Sequence, residues 1–381
     1  MSAVRKMRYL IVVMLLIHFV GEAHAQRPPV THPASEARRI ELSFDRSSAP
    51  GDQILWARRT VLGYSTDPSD RYGEIHLTCL SNSDAANGKC PTSDTSETGQ
   101  GTSSIPLRFV ERRSGLRTEV ALTGWLERAE SGRTCNDDFW QIYHRPFWTT
   151  ERNGCFDPAS GTGAALSLNS GELEKLVAGR WDAELVLHLR ADPMGPVLAT
   201  YTFTFDLLIT DHDRANIYFP ASDNITPLVN LNIAYLPVPS PPHVEGGTSL
   251  DMCLYDGLGS QIPYLEVTIR DDGKDAPGRA PGMHSVWHHA GGRGDDSRLD
   301  YSITLDYGGV PLKMDNNVTQ RLLGIDTTQL RLVVLPGMSQ PVYCVPAPLK
   351  LTVPRVLASS KLAGYYEGRM IIEMVVPSST P

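Results

Sequence analysis

The feature that most constrains this chain is a period of two in its apolar residues. Apolar side chains alternate with others at Ile40, Leu42 and Phe44, at Leu185, Leu187 and Leu189, at Leu265, Val267 and Ile269, and at Tyr301, Ile303, Leu305 and Tyr307. Successive side chains of an extended chain point to opposite faces, so each run predicts a half-buried strand. The 32 Gly and 28 Pro are spread along the sequence, where they supply turns and interrupt long helices. Turn-rich stretches fall at 81–101 and 271–294, and one short helix is expected over 170–177, with Ser170 as N-cap and Glu172 and Glu174 in its first turn. No period of roughly 20–50 residues signals a solenoid or propeller. The fold class is all-β.

A chain of 381 residues exceeds the usual size of one compact core, which predicts two domains. The long strand expected over 200–210 ends at the polar run Asp211-His212-Asp213-Arg214, which reads as a solvated hinge. The boundary is placed there, giving domains at 26–213 and 214–381. Residues 1–25 read as a secretory leader: Arg5, Lys6 and Arg8 precede an apolar run over 9–20, and Ala23-His24-Ala25 offers a cleavage site before Gln26. That run is well short of the ~20 residues that span a bilayer. The formal net charge is −8, and loss of the leader makes the chain more acidic, which disfavours nucleic acid as a partner.

Six cysteines fit export into an oxidising compartment. They fall as Cys79 and Cys90, Cys135 and Cys155, and Cys253 and Cys344, and sequential pairing is the simplest of the possible connectivities. No Cys-x-x-Cys occurs, so no zinc staple is expected. Of the basic side chains in 26–213, all but Lys89 and Lys175 are arginine. The guanidinium fork suits carboxylate, sulfate or phosphate, although scattered surface arginines explain the count equally well.

The run Ser249-Leu250-Asp251-Met252-Cys253-Leu254-Tyr255-Asp256-Gly257 resembles a signature of the CblD-like pilus biogenesis initiators, the tip subunits of class 5 (alternate chaperone–usher) fimbriae, including colonisation-factor tip adhesins. Four further stretches agree in order: Cys79-Leu80-Ser81 through Lys89-Cys90-Pro91, Leu107 through Ser114, Ser170-Gly171-Glu172-Leu173 through Trp181-Asp182-Ala183, and Ala363-Gly364-Tyr365-Tyr366-Glu367-Gly368. The resemblance covers most of residues 70–381. It implies two immunoglobulin-like β-sandwiches in tandem, an adhesin domain followed by an incomplete pilin domain that is completed by a donor strand. It also implies export through the periplasm to the fimbrial tip. The implied partners are a periplasmic chaperone, an outer-membrane usher, a major pilin subunit as strand donor, and a host-cell glycan or glycolipid.

Candidate groove residues are Met370, Ile372 and Met374, which alternate near the C-terminus, and Leu228, Val229, Leu231 and Ile233, read as an apolar strand; ordinary sandwich core is the competing reading. The family's receptor pocket is basic, and its positions match Arg71 and Arg190. In intestinal members consecutive basic residues stand at the second position, whereas here Arg190 is followed by Ala191 and Asp192. His284, Trp287, His288 and His289 lie in what reads as a long polar loop and offer metal ligands or a sugar platform. Arg293-Gly294-Asp295 is a short match of the integrin-binding type, and Asp211-His212-Asp213 offers possible cation ligands. No nucleophile elbow, His-Glu-x-x-His, phosphate loop or dinucleotide fingerprint occurs, so neither enzyme nor cofactor is expected. Adhesion and assembly initiation without receptor binding are the two readings that remain, ahead of a secreted glycan hydrolase.

Overall fold

The computed structural model describes residues 26–94, 100–135, 137–155, 158–193, 195–222, 226–335 and 340–377; the leader expected at 1–25 lies outside them. The first eight strands are β1 (Glu36–Asp45), β2 (Gln53–Tyr64), β3 (His76–Cys79), β4 (Ser103–Glu111), β5 (Arg117–Ala129), β6 (Gly161–Leu168), β7 (Gly179–Arg190) and β8 (Ala199–Thr210). They form one hydrogen-bonded path, β1-β8-β7-β4-β5-β6-β2, with β3 branching onto β7. The pairings are antiparallel except that of β1 with β8, which run parallel from Glu36 opposite Tyr201 to Asp45 opposite Thr210.

The path folds back to make two layers. Trp56 of β2 meets the rings of Tyr201 and Phe203 on β8, with centroids 4.9 and 5.2 Å away. Alternation sends Leu185, Leu187 and Leu189 of β7 and Phe203, Phe205 and Leu207 of β8 inward, all essentially inaccessible to solvent. Burying a side chain of this size contributes about 1.5–3 kcal/mol.

The second domain contains β9 (Asn216–Tyr218), β10 (Ala234–Leu236), β11 (His243–Leu250), β12 (Cys253–Tyr255), β13 (Tyr264–Arg270), β14 (His284–His288), β15 (Arg298–Tyr307), β16 (Val310–Met314), β17 (Val318–Leu323), β18 (Arg331–Val333), β19 (Val342–Pro346), β20 (Leu349–Leu357), β21 (Tyr366–Glu367) and β22 (Ile371–Val375). They form sheets in the orders β10-β11-β20-β15-β14-β21, with β16 on β15, β18-β19-β12-β9, and β17-β13-β22. Leu265, Val267, Ile269, Tyr301, Ile303 and Leu305 lie in a second core. Both domains are immunoglobulin-like sandwiches. The disulfides Cys79–Cys90, Cys135–Cys155 and Cys253–Cys344 are formed, and the last closes a separation of 91 residues within the second domain.

Three local expectations need correction. The helix spans only Ser170–Leu173 and its N-cap is Asn169; the Ser170 N–H donates instead to Asp52 of a neighbouring loop, at 2.8 Å. The segment 271–294 is not wholly a loop. It contains strand β14, which pairs with β15 and buries His284 and Trp287. The 211–214 run is solvated only in part: His212, Asp213 and Arg214 are exposed, but Asp211 is only 4% exposed and its N–H donates to the Gly257 carbonyl of the second domain, at 2.8 Å.

The junction explains the Asp251–Gly257 motif. Extended backbone sends Cys253 and Tyr255 into the first-domain core cluster, together with Leu335, Val342 and Cys344, while Met252 and Leu254 enter the second core. Asp256 is buried and accepts the N–H groups of Leu258 and Ser260, at 2.9 and 3.1 Å. Gly257 has a φ of +66°, and a Cβ built there would lie 2.4 Å from the Asp211 carbonyl oxygen. Glycine is required by both backbone and space. Gly257→Ala is therefore expected to lower unfolding free energy by about 2 kcal/mol or more, whereas Gly51→Ala, with no atom within 4 Å of its Cβ, should be close to neutral. Urea denaturation of the mature chain checks the pair.

Candidate functional site

The junction caps one end of the first domain, where β4, β8 and the start of β7 lie. Because β7 is antiparallel to both β3 and β8, its far end with Arg190, the start of β3 and the loop before it lie at the opposite, distal end. A 3-10 turn over Pro68–Asp70 shapes this loop. Asp67 accepts from the Ser69 N–H at 2.9 Å, Pro68 supplies a preset φ, and Arg71 follows in the left-handed region at φ 55°. Its guanidinium donates through Nε to Glu74 and through Nη1 to Asp192, the latter at 2.6 Å. These hydrogen bonds, Glu74 first, raise the Arg71 pKa above the usual arginine value.

Arg190 ends β7 opposite His76 of β3. It donates to the Gly195 carbonyl across the turn that carries Asp192. Arg71 and Arg190 thus share the distal end and are linked through that turn. Both guanidinium groups are already engaged. Asp192 is visible in the sequence as an opposite charge; Glu74 is not singled out there, although its i+3 spacing from Arg71 is a usable signal.

The distal loops rest on a residue that the sequence disguises. Arg128, in the charged-looking run Glu127-Arg128-Ala129-Glu130, is fully buried. It donates to the carbonyls of Ile75, Thr149 and Glu151 and to Thr162 Oγ1, at 2.7, 2.6, 3.0 and 2.5 Å. Burial, with Arg145 nearby, pushes its pKa down to about 9. His76, also fully buried, has its pKa lowered chiefly by burial.

In the second domain, β22 is the last strand of its three-stranded sheet. Its register sets Met374 opposite Val267 and Ile372 opposite Ile269. Met370, Ile372 and Met374 are half-buried against the second core, and no strand among the described residues pairs with the outer edge of β22. Val229 and Leu231 also pack half-buried on that core. Residues 228–233 are not a strand, however, because they enter no ladder. Leu228 is fully exposed and Ile233 is 41% exposed, so neither is core.

The other sequence candidates have local partners. The ring nitrogen Nε2 of His284 lies 3.3 Å from the Ile269 carbonyl and that of His288 lies 3.2 Å from the Ala363 carbonyl. Asp295 of the Arg-Gly-Asp match pairs with Lys361 and Arg298. His212 bonds Asp45 at 2.7 Å. Burial alone would raise the Asp45 pKa, but hydrogen bonds from Ser47, His212 and Thr210 outweigh it and hold this carboxyl well below its usual range. Glu130, Cys135 and Cys155 lie close enough together to hold an ion, but the two sulfurs are bonded to each other, which leaves a single ligand.

The described residues thus make two tandem sandwiches, the second ending on an edge strand with half-covered apolar side chains. The family model for the first domain of CfaE, a CFA/I fimbrial subunit, matches residues 21–212, and that for its second domain matches residues 215–378. The chain belongs to this family. The CFA/I fimbrial protein CfaE of Escherichia coli is 27% identical over 317 residues, covering 81% of this chain and 82% of that relative. The crystal structure of CfaE, the adhesive subunit of the CFA/I fimbria of enterotoxigenic Escherichia coli, superposes with a TM-score of 0.67 at 25% identity, over 93% of this chain and 95% of that one. A chaperone–tip adhesin complex of CFA/I fimbriae biogenesis gives 0.64 at 24% identity, over 93% and 99%.

Arg71 is 41% exposed and its pairs are surface pairs, so Arg71→Ala should change unfolding free energy by less than about 1 kcal/mol. Arg128→Ala should cost about 3–5 kcal/mol, because it strands several buried acceptors at once. Urea unfolding curves of the two variants separate a surface side chain from one that holds the loops in place.

Proposed function

We propose that the chain is the tip subunit of a chaperone–usher fimbrium, with residues 26–213 as adhesin domain and 214–381 as pilin domain. It starts fibre assembly by accepting a donor strand from the next pilin, and it attaches the fibre to a host-cell glycan or glycolipid. The observation that carries this reading is the unpaired edge of β22, along which Met370, Ile372 and Met374 lie half-covered, with Val229 and Leu231 on the same core. An added strand would satisfy the open backbone groups and seat alternate side chains on that core. Leu228 and Ile233 belong to the rim of this acceptor region, since both are largely exposed.

Membership of a family that includes a tip adhesin solved with its chaperone supports a periplasmic chaperone as first occupant of that edge, with the usher and a major pilin subunit following. Export then passes through the periplasm to the cell surface. The protein acts by binding rather than turnover. Attachment is assigned to the distal end of the first domain, where Arg71 stands before β3 and Arg190 at the end of β7, away from the junction with the second domain. A second reading, assembly initiation without receptor binding, draws support from the internal engagement of both arginines.

Ile372→Asp and Met374→Asp each place a charge where a donor side chain would seat. Both are expected to abolish fibres counted by electron microscopy while leaving the fold of the first domain intact by near-ultraviolet circular dichroism. Wild-type fibre numbers in both variants would overturn the assignment of β22 as acceptor.

A further inference from the structure

We propose that the distal end takes a neutral, hydroxyl-rich glycan, and that Asp192 is the specificity-determining residue that keeps carboxylate and sulfate groups off Arg71; this rests on the reading of that end as the attachment surface. An arginine that captures an external anion presents two parallel N–H groups to it. Arg71 has already committed Nε to Glu74 and Nη1 to Asp192, at 2.6 Å for the latter. Arg190 has committed Nη1 to the Gly195 carbonyl, and its Nε is buried away from solvent. Each guanidinium thus meets an incoming acid with part of its donor set already bonded inside the protein.

Local charge points the same way. The turn and loop before β3 carry Asp67, Asp70 and Glu74, and the turn after β7 carries Asp192, against the two guanidinium groups of Arg71 and Arg190. An acidic ligand would have to displace a tethered carboxylate and then sit beside the others, a like-charge juxtaposition that disfavours it. A sugar hydroxyl meets no such barrier, since it can accept from a guanidinium N–H and donate to a carboxylate oxygen. Glu74 is the better-shielded carboxylate, with its side chain 15% exposed, and it fixes the Arg71 stem. Asp192 is 52% exposed and stands on the solvent side of the pair, where it occupies the place of a ligand acid.

The test uses fimbriated cells carrying the full protein, applied to one immobilised glycoprotein before and after enzymatic removal of sialic acid, and to a sulfated polysaccharide. The wild type is expected to be retained better by the desialylated form. Asp192→Asn removes the internal acid while keeping its shape, and it should raise retention on the sialylated and sulfated surfaces by about tenfold. Asp192→Ala should do the same, which controls for a fold effect of either variant. Adding Arg71→Ala to Asp192→Asn should return retention to the wild-type level. Better retention of the wild type on the sialylated form, or a gain in Asp192→Asn that survives Arg71→Ala, would overturn the proposal while leaving attachment at this end in place. Retention on none of the surfaces, together with host-cell attachment unchanged by Arg71→Ala, would overturn the attachment reading itself and the proposal with it.

Discussion

Three residues of extended chain hold the molecule together. In β12, Cys253 and Tyr255 face the first core while the intervening Leu254 faces the second, so one strand serves two hydrophobic clusters by alternation alone. Its neighbours β9 and β19 add a ladder on each side, and Cys344 of β19 is bonded to Cys253. Asp256 and Gly257 then turn the chain against the Asp211 backbone. Arg113 and Gln261 complete the contact, with Arg113 donating to the carbonyls of Ile325 and Thr328 and Gln261 donating to the buried Glu111. The domains therefore share apolar packing rather than hanging on a flexible tether.

With that junction fixed, the distal loops of the first domain and the open edge of the second differ in chemistry. The first domain presents Arg71, Glu74 and Asp192 at its far end, on loops anchored by a buried guanidinium, Arg128, that reaches three separate segments. The second domain ends on β22, whose inward side is apolar and whose outer edge has no partner among the described residues. The first arrangement is polar, with its guanidinium groups tied to neighbouring oxygens. The second is apolar and open along one edge among the described residues, as an acceptor of an added strand would be.

Much of the fold was legible because alternation survives without tertiary knowledge. Leu185, Leu187 and Leu189, and Leu265, Val267 and Ile269, point inward as a period of two requires. Strand β14 was hidden because its inward residues include His284, which looks polar in sequence and is accommodated by burial beside the Ile269 carbonyl. Arg128 was hidden for the opposite reason: a charge reads as surface until four acceptors are brought to it by residues 21 to 53 positions away. Residues 228–233 looked like a strand by composition, but no partner strand satisfies their backbone. At the distal end the two arginines were legible as residues, yet whether their forks were open or filled depended on where Glu74 and Asp192 came to rest.

The parallel pairing of β1 with β8 has a mechanical consequence. A fibre tip is pulled between whatever it grips and the shaft behind it; under the attachment proposed for the distal end, tension enters the first domain there and leaves through β8 into the second domain. Hydrogen bonds between strands lie across the strand axis, so a pull along β7 and β8 loads their ladder in shear, with many bonds sharing the force. On the other side of β8 the parallel β1 runs in register over its whole length and adds a second ladder loaded in the same sense. The strand that carries the load thus sits between two neighbours, and extraction would require many bonds to yield together rather than one after another.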